Sequence, residues 1–133
     1  FLILYMDRIS NLLIALKNGG NAKRPTATVP FSKLQASIAK VLFDAGYIAS
    51  YSKKAQNGHD VLELGIAYVQ DKPRINDVKR ISKPSRRLYA GAHQIRTVKS
   101  GHGILVLSTP KGILTGDQAK SEHVGGETLF EIW

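Results

Sequence analysis

The sequence predicts an α+β fold built from two small packed parts: a helix, strand, helix and hairpin first, then mostly short strands with one helix. Three observations predict it. Of 133 residues, 43% are hydrophobic, enough interior for one ordinary domain or two very small ones. Apolar residues at helical spacing cluster in the first part of the chain. The second half instead alternates short apolar runs with turn residues, which is strand patterning. There is no internal repeat and no low-complexity tract.

The first helix is predicted from Ile9, Leu12, Leu13 and Leu16, which fall at i, i+3, i+4 and i+7 and precede a stop at Asn18, Gly19 and Gly20. Thr26 to Val29 is β-branched and closed by Pro30, so it reads as a strand. Ser32-Lys33-Leu34-Gln35 is a capping box, in which hydroxyl and amide satisfy free N–H groups at a helix start. Leu34, Ile38, Val41, Leu42 and Ala45 supply that helix's apolar face, and Gly46 ends it. Tyr47 to Tyr51 and Val61 to Tyr68 flank Asn57-Gly58, a pair suited to a hairpin turn. Leu62, Leu64, Ile66 and Tyr68 alternate along the second of these strands. Asp71-Lys72-Pro73 breaks the pattern and divides the chain into parts 6–71 and 72–133.

In the second part, strands are expected at Val78 to Ile81, Arg87 to Ala90, Ile104 to Ser108, Gly112 to Leu114 and Thr128 to Trp133. One helix is expected from Gly116 to His123. It opens on a second capping box, Thr115-Gly116-Asp117-Gln118, and Gly125-Gly126 separates it from the last strand. At the other end, the apolar opening Phe1 to Met6 stops at Asp7-Arg8, far short of the roughly 20 residues of a membrane-spanning helix. It also lacks the basic start and cleavage site of a signal peptide. Met6 is the single methionine and precedes the first amphipathic pattern, so it reads as the natural start, with Phe1 to Tyr5 a non-native or disordered extension.

The net charge is +9, which points to a polyanionic partner, nucleic acid before membrane. The excess is concentrated. Lys72, Arg74, Lys79, Arg80, Lys83, Arg86, Arg87, Arg96 and Lys99 stand against Asp77 alone, net +8, while residues 100–133 are slightly acidic. Val78, Ile81, Leu88, Tyr89 and Ile95 interleave apolar side chains with these bases, as in a folded anion-binding face rather than a solvated linker. Membrane binding would favour a basic amphipathic helix, whereas these bases fall on predicted strands and turns. A binding module for another anion, such as an acidic protein, remains the alternative use of the same face.

Catalytic chemistry finds no support. With no cysteine, disulfides, thiolate metal sites and cysteine nucleophiles are absent. His59, His93, His102 and His123 are scattered and make no local ligand pair, so neither a metal nor a cofactor is implied. There is no nucleophile elbow, no complete phosphate loop and no acid/base motif. The segment that stands out is Ser108-Thr109-Pro110-Lys111-Gly112, between two apolar strands. Two hydroxyls, a cation and a glycine in a tight loop suit a sugar-phosphate backbone or a base edge. The same residues also make an ordinary hairpin turn.

Taken together, several segments resemble the small ribosomal subunit protein eight family in its bacterial form, in order and over nearly the whole chain from Asp7. They are Asp7 to Leu13 with Lys17-Asn18; Pro30-Phe31-Ser32-Lys33-Leu34 with Ile38 to Leu42 and Gly46-Tyr47-Ile48; Ile81 to Tyr89; Gly101-His102-Gly103-Ile104; Ser108 to Gly112; and Gly125-Gly126-Glu127. The resemblance implies a ribosomal protein, not an enzyme, that binds a bulged helical region of small-subunit ribosomal RNA and supports assembly. Its partners would be that RNA, neighbouring small-subunit proteins and, as a further target, its own messenger RNA. Its place would be the ribosome of the cytoplasm, with an organellar ribosome left open. Carried over by residue, the RNA contacts would be Ser108, Thr109, Pro110, Tyr89, Gly125 and Gly126. Lys111, Gly112 and Glu127 lie beside them, with Ser32 and Lys33 in the first part; the basic stretch itself adds Lys83, Arg86 and Arg87 as expected phosphate contacts. Tyr89 is expected to stack on an unpaired base; the alternative is a core tyrosine. Three departures from the family stand out. Pro110 replaces a Ser, removing a hydroxyl and an N–H donor. Ser85 replaces a Gly, and His102 replaces a Leu at a position expected to be packed.

Overall fold

The computed structural model describes residues 8–83 and 85–133. The predicted start at Met6 and the extension before it lie outside the described residues, as does Pro84 of the basic stretch. The fold is α+β, and the chain divides into two units, between Ile75 and Asn76.

The first unit is a three-stranded antiparallel sheet carrying two helices. Helix α1 spans Arg8–Asn21, strand β1 Thr26–Pro30, helix α2 Lys33–Asp44, strand β2 Ile48–Gln56 and strand β3 His59–Ile66. The sheet order is β1-β3-β2, so the central strand is last in sequence. Alternation puts Leu62, Leu64 and Ile66 of β3 in the interior, with Val29 of β1, Ile48 of β2, Leu12, Leu13 and Leu16 of α1 and Ile38 and Leu42 of α2. Asn57 and Gly58 both take positive φ, 52° and 80°, which produces the tight β2–β3 hairpin.

Four details depart from expectation, each through packing. Helix α1 runs through Gly19 and Gly20 to Asn21, and a Cβ at Gly19 would overlap the end of the Ile66 side chain while one at Gly20 would lie 3.1 Å from Pro73. These glycines serve close approach rather than termination. The second capping-box bond at Ser32 is not made: the Ser32 hydroxyl accepts the Gln35 N–H at 3.1 Å. The buried Gln35 side chain accepts from the Ser32 hydroxyl at 3.3 Å through its oxygen and donates from its nitrogen to the Arg8 carbonyl at 3.0 Å, joining the starts of the two helices. Leu34 is largely exposed rather than part of the apolar face. Tyr68 leaves β3 for a small hairpin, β4 Tyr68–Val69 with β5 Lys72–Pro73, turned by Gln70 and Asp71 at positive φ. Its hydroxyl donates to the Arg24 carbonyl.

Ser32→Ala is expected to cost about 1 kcal/mol of stability through the lost cap, measured by urea denaturation. Ser32→Asp, which keeps an acceptor at the cap, should recover most of it.

The second unit is built on β6 Val78–Arg80, β7 Tyr89–Ala90, β8 Ile104–Thr109, β9 Gly112–Thr115 and β10 Gly126–Ile132, with α3 Gly116–Ser121. Strand β10 is the hub. Along one edge it pairs antiparallel with β6 and then β7, and along the other with β8, which pairs with β9. Ile95, Val98, Leu105, Leu107 and Ala119 form a core, with Ile81, Leu114, Val124 and Trp133 packed against it. Both bonds of the Thr115–Gln118 capping box form, N–H to hydroxyl at 3.2 Å and N–H to amide oxygen at 3.0 Å. The helix ends at Ser121, with Glu122 as cap and His123 at φ 55°, short of the expected end at His123. His102 is exposed, not packed, because it follows a left-handed turn through Lys99, Ser100 and Gly101.

Candidate nucleic-acid interface

Strand register brings three of the predicted residues into one row. Glu127 of β10 stands opposite Tyr89 of β7 on one side and Ser108 of β8 on the other. Directly opposed residues of antiparallel strands project to the same face. Tyr89 and Ser108 are therefore two strand spacings apart, roughly 10 Å, with a carboxylate between them. The tyrosine is 67% exposed, so it is not the core residue that its alternating strand allowed. Leu88 before it is 37% exposed.

Gly125 and Gly126 make this arrangement possible. A Cβ on Gly126 would overlap the Ser108 carbonyl oxygen, and one on Gly125 would overlap the Ala90 carbonyl. Backbone stands in the way in both cases, so the three strands meet at this end of the sheet only without side chains there.

The loop from Ser108 to Gly112 is a tight turn between β8 and β9, with Thr109 paired to Gly112 and Pro110-Lys111 at its tip. Pro110 suits the turn's first corner, and Gly112 takes φ 112°. The Thr109 hydroxyl donates to the Gly112 carbonyl at 2.8 Å and accepts the Lys111 N–H at 3.1 Å. Its proton is thus spent inside the turn, leaving an acceptor for any ligand. Lys111 Nζ lies 2.7 Å from the Glu122 carboxylate. That hydrogen bond first, and the lysine's charge second, hold the Glu122 carboxyl below the usual carboxylate range. The pair is exposed and adds little to stability. What it adds is present at neutral pH and fades as the solution is acidified through that lowered value.

The basic stretch does not act as a single block. Lys72 and Arg74 belong to the first unit, where the Arg74 guanidinium lies over the Tyr47 ring at 4.2 Å. Arg80 donates to the Leu129 carbonyl at 2.8 Å, and Lys99 lies over the Trp133 ring at 4.5 Å. Lys83 and Arg86 close a turn by two reciprocal backbone hydrogen bonds of 2.9 Å, and their side chains are exposed. Arg87 Nη1 approaches Glu127 Oε1 at 3.8 Å, next to the row. The second unit thus carries a row with an exposed aromatic, a hydroxyl and the Arg87 cation beside them, and further exposed cations at Lys83, Arg86 and Lys111. Such an arrangement suits a structured polyanion with accessible bases.

The family model described as ribosomal protein S8 matches residues 7–133. The chain belongs to the ribosomal protein S8 family. It is 40% identical to small ribosomal subunit protein uS8 of Erythrobacter litoralis, over 96% of this chain and 97% of that one. The same protein of Mycoplasmopsis agalactiae is 40% identical over the same shares, and that of Acidobacterium capsulatum is 38% identical over 96% and 97%. Membership of S8 makes this a ribosomal protein, of a structural rather than an enzymatic family. Among the described residues no helix is long and apolar enough to cross a membrane, and no group of three or more His, Asp or Glu could hold a metal ion.

Within this S8 chain, the fold gathers Tyr89, Ser108, Gly125, Gly126, Glu127 and Arg87, with the Thr109–Gly112 turn and the Lys83–Arg86 turn in the same unit. Ser32 and Lys33 belong to the first unit, at the start of α2. The Ser32 hydroxyl is engaged as the cap, and Lys33 is exposed. One residue escaped sequence reasoning. Ser82 is fully buried and donates from its hydroxyl to Glu127 Oε2 at 2.6 Å. It lies in the Ile81 to Tyr89 segment that resembles the family, but nothing local marks its role, because its partner lies 45 residues away.

Proposed function

We propose that this chain binds small-subunit ribosomal RNA directly, as a structural constituent that supports assembly of the subunit, and that the face around Tyr89, Glu127 and Ser108 is the binding surface. The observation that carries this reading is the cross-strand row itself. It holds an exposed ring and a hydroxyl about 10 Å apart on the two strands that flank β10, with cations on tight turns of the same unit. Lys83, Arg86, Arg87 and Lys111 supply attraction to phosphates, which positions RNA without selecting sequence. Tyr89 offers a stacking surface for an unpaired base, and Ser108 offers a donor and acceptor to a base edge or a 2′-hydroxyl. Thr109, Pro110 and Gly112 shape the turn that presents them. The small-subunit naming of the relatives supports the choice of RNA.

The test is a chemical footprint of the full chain on small-subunit ribosomal RNA, with an unrelated structured RNA as competitor at near-physiological salt. A local footprint that resists the competitor is expected; equal competition would reduce the surface to non-specific basicity. In the same assay Lys83→Ala should flatten the plot of log affinity against log salt by about one unit, the release of one counterion. An unaltered slope would remove Lys83 from the surface.

A further inference from the structure

We infer that Ser82 is a positioning residue for RNA binding, its buried hydroxyl closing the basic loop and holding Tyr89 in register; the assignment rests on the RNA-binding reading above. Three observations carry it. Ser82 is 0% exposed, in a unit whose other buried side chains are almost all apolar, so its hydroxyl needs partners to offset desolvation. It has two: it donates to Glu127 Oε2 at 2.6 Å and accepts the Leu88 N–H at 2.9 Å. The carboxylate takes the proton and so orients the oxygen's lone pairs toward Leu88.

The bond to Leu88 spans six residues and closes the loop that carries Lys83, Arg86 and Arg87. On the other side, the Leu88 carbonyl accepts the Thr128 N–H at 2.9 Å and the Thr128 hydroxyl at 3.1 Å. Both polar groups of the Leu88 backbone are therefore held by buried hydroxyl-bearing residues. Tyr89 follows immediately, in a strand only two residues long. Neither residue of that strand is buried: Tyr89 is 67% exposed and Ala90 is half-buried. Hydrogen bonding is what keeps the ring opposite Glu127. The same carboxylate faces Arg87, so Glu127 ties the hydroxyl clamp to the cation beside the ring.

A positioning role through Tyr89 predicts coupling between the two residues. In binding assays of the full chain with a small-subunit ribosomal RNA transcript, Ser82→Ala is expected to weaken affinity about tenfold. The salt slope should not change, because the two Lys83–Arg86 backbone hydrogen bonds hold the turn that presents the cations without the Ser82 hydroxyl. In a Tyr89→Ala background the same substitution should cost less than about threefold, since the group that it places is gone. Thr128→Val removes the other hydroxyl on Leu88 with little change of shape. It should weaken binding about threefold, again only while Tyr89 is present, and it serves as the test should Ser82→Ala fail to fold.

Equal losses in both backgrounds, a changed salt slope, or wild-type affinity in both variants would overturn the assignment. A wild-type chain without preference for ribosomal RNA over the competitor would overturn the RNA reading itself, and this assignment with it.

Discussion

Gly126→Ala is expected to destabilise the second unit by about 3 kcal/mol and to weaken RNA binding with it. The new Cβ would overlap the Ser108 carbonyl oxygen and would lie 2.9 Å from its carbon and 3.0 Å from the Thr109 Cα. All three atoms are backbone, in the strand that carries Ser108 and leads into the Pro110-Lys111 turn, so relief requires β8 and β10 to part. Urea denaturation monitored by circular dichroism should show a lower midpoint for the second unit. A variant as stable as the parent would show that this end of the sheet yields easily and that the close approach is dispensable. Binding should fall together with stability, because the substitution separates the two strands that hold Ser108 and Glu127 opposite one another.

Tyr89→Ala is expected to weaken RNA binding by about 1 to 3 kcal/mol, the loss of one base-stacking ring. Stability should change by less than about 0.5 kcal/mol, because the ring is mostly exposed and surface substitutions usually fall within that range. Tyr89→Phe keeps the stacking face and should retain most of the affinity. The decisive measurement pairs a binding isotherm with a thermal melt of the same sample. Lost stability with unchanged affinity would place Tyr89 among the packing residues.

These outcomes separate two roles that one stretch of sequence can conceal. Gly125, Gly126 and Glu127 lie beside the expected RNA contacts, yet the glycines have a sufficient structural reason in strand approach. Glu127 is engaged with Ser82 and Arg87. The groups facing outward are Tyr89, Lys83 and Arg86, with Ser108 half-buried in the row.

Much of the fold was legible because its signals are local. Asn57-Gly58 makes its hairpin by tolerating positive φ at two adjacent residues. Thr115 and Gln118 complete a capping box within one helical turn. Leu62, Leu64 and Ile66 turn inward because strand geometry alternates every second residue. Each of these needs only neighbours a few residues away. Where expectation and structure part, a distant group intervenes. The Gln35 amide, besides its contact with Ser32, donates to the Arg8 carbonyl, 27 residues earlier. Gly19 and Gly20 lie within the helix where Ile66 and Pro73 leave no room for a side chain.

The candidate surface divides in the same way. Composition and motif pointed to a basic, hydroxyl-bearing, aromatic segment in the second half and to the S8 family, since charge, residue type and motif order are properties of the chain. Which residues share a face was settled by the pairing of β10 with both β7 and β8, and pairing depends on segments dozens of residues apart. Register then set Glu127 between Tyr89 and Ser108 and put Ser82 beneath it. Folding also divided the nine bases of the charged stretch between two units and spent several of them on rings, a carbonyl and a carboxylate. A cation's availability to RNA depends on what the fold places beside it, and those neighbours come from elsewhere in the chain.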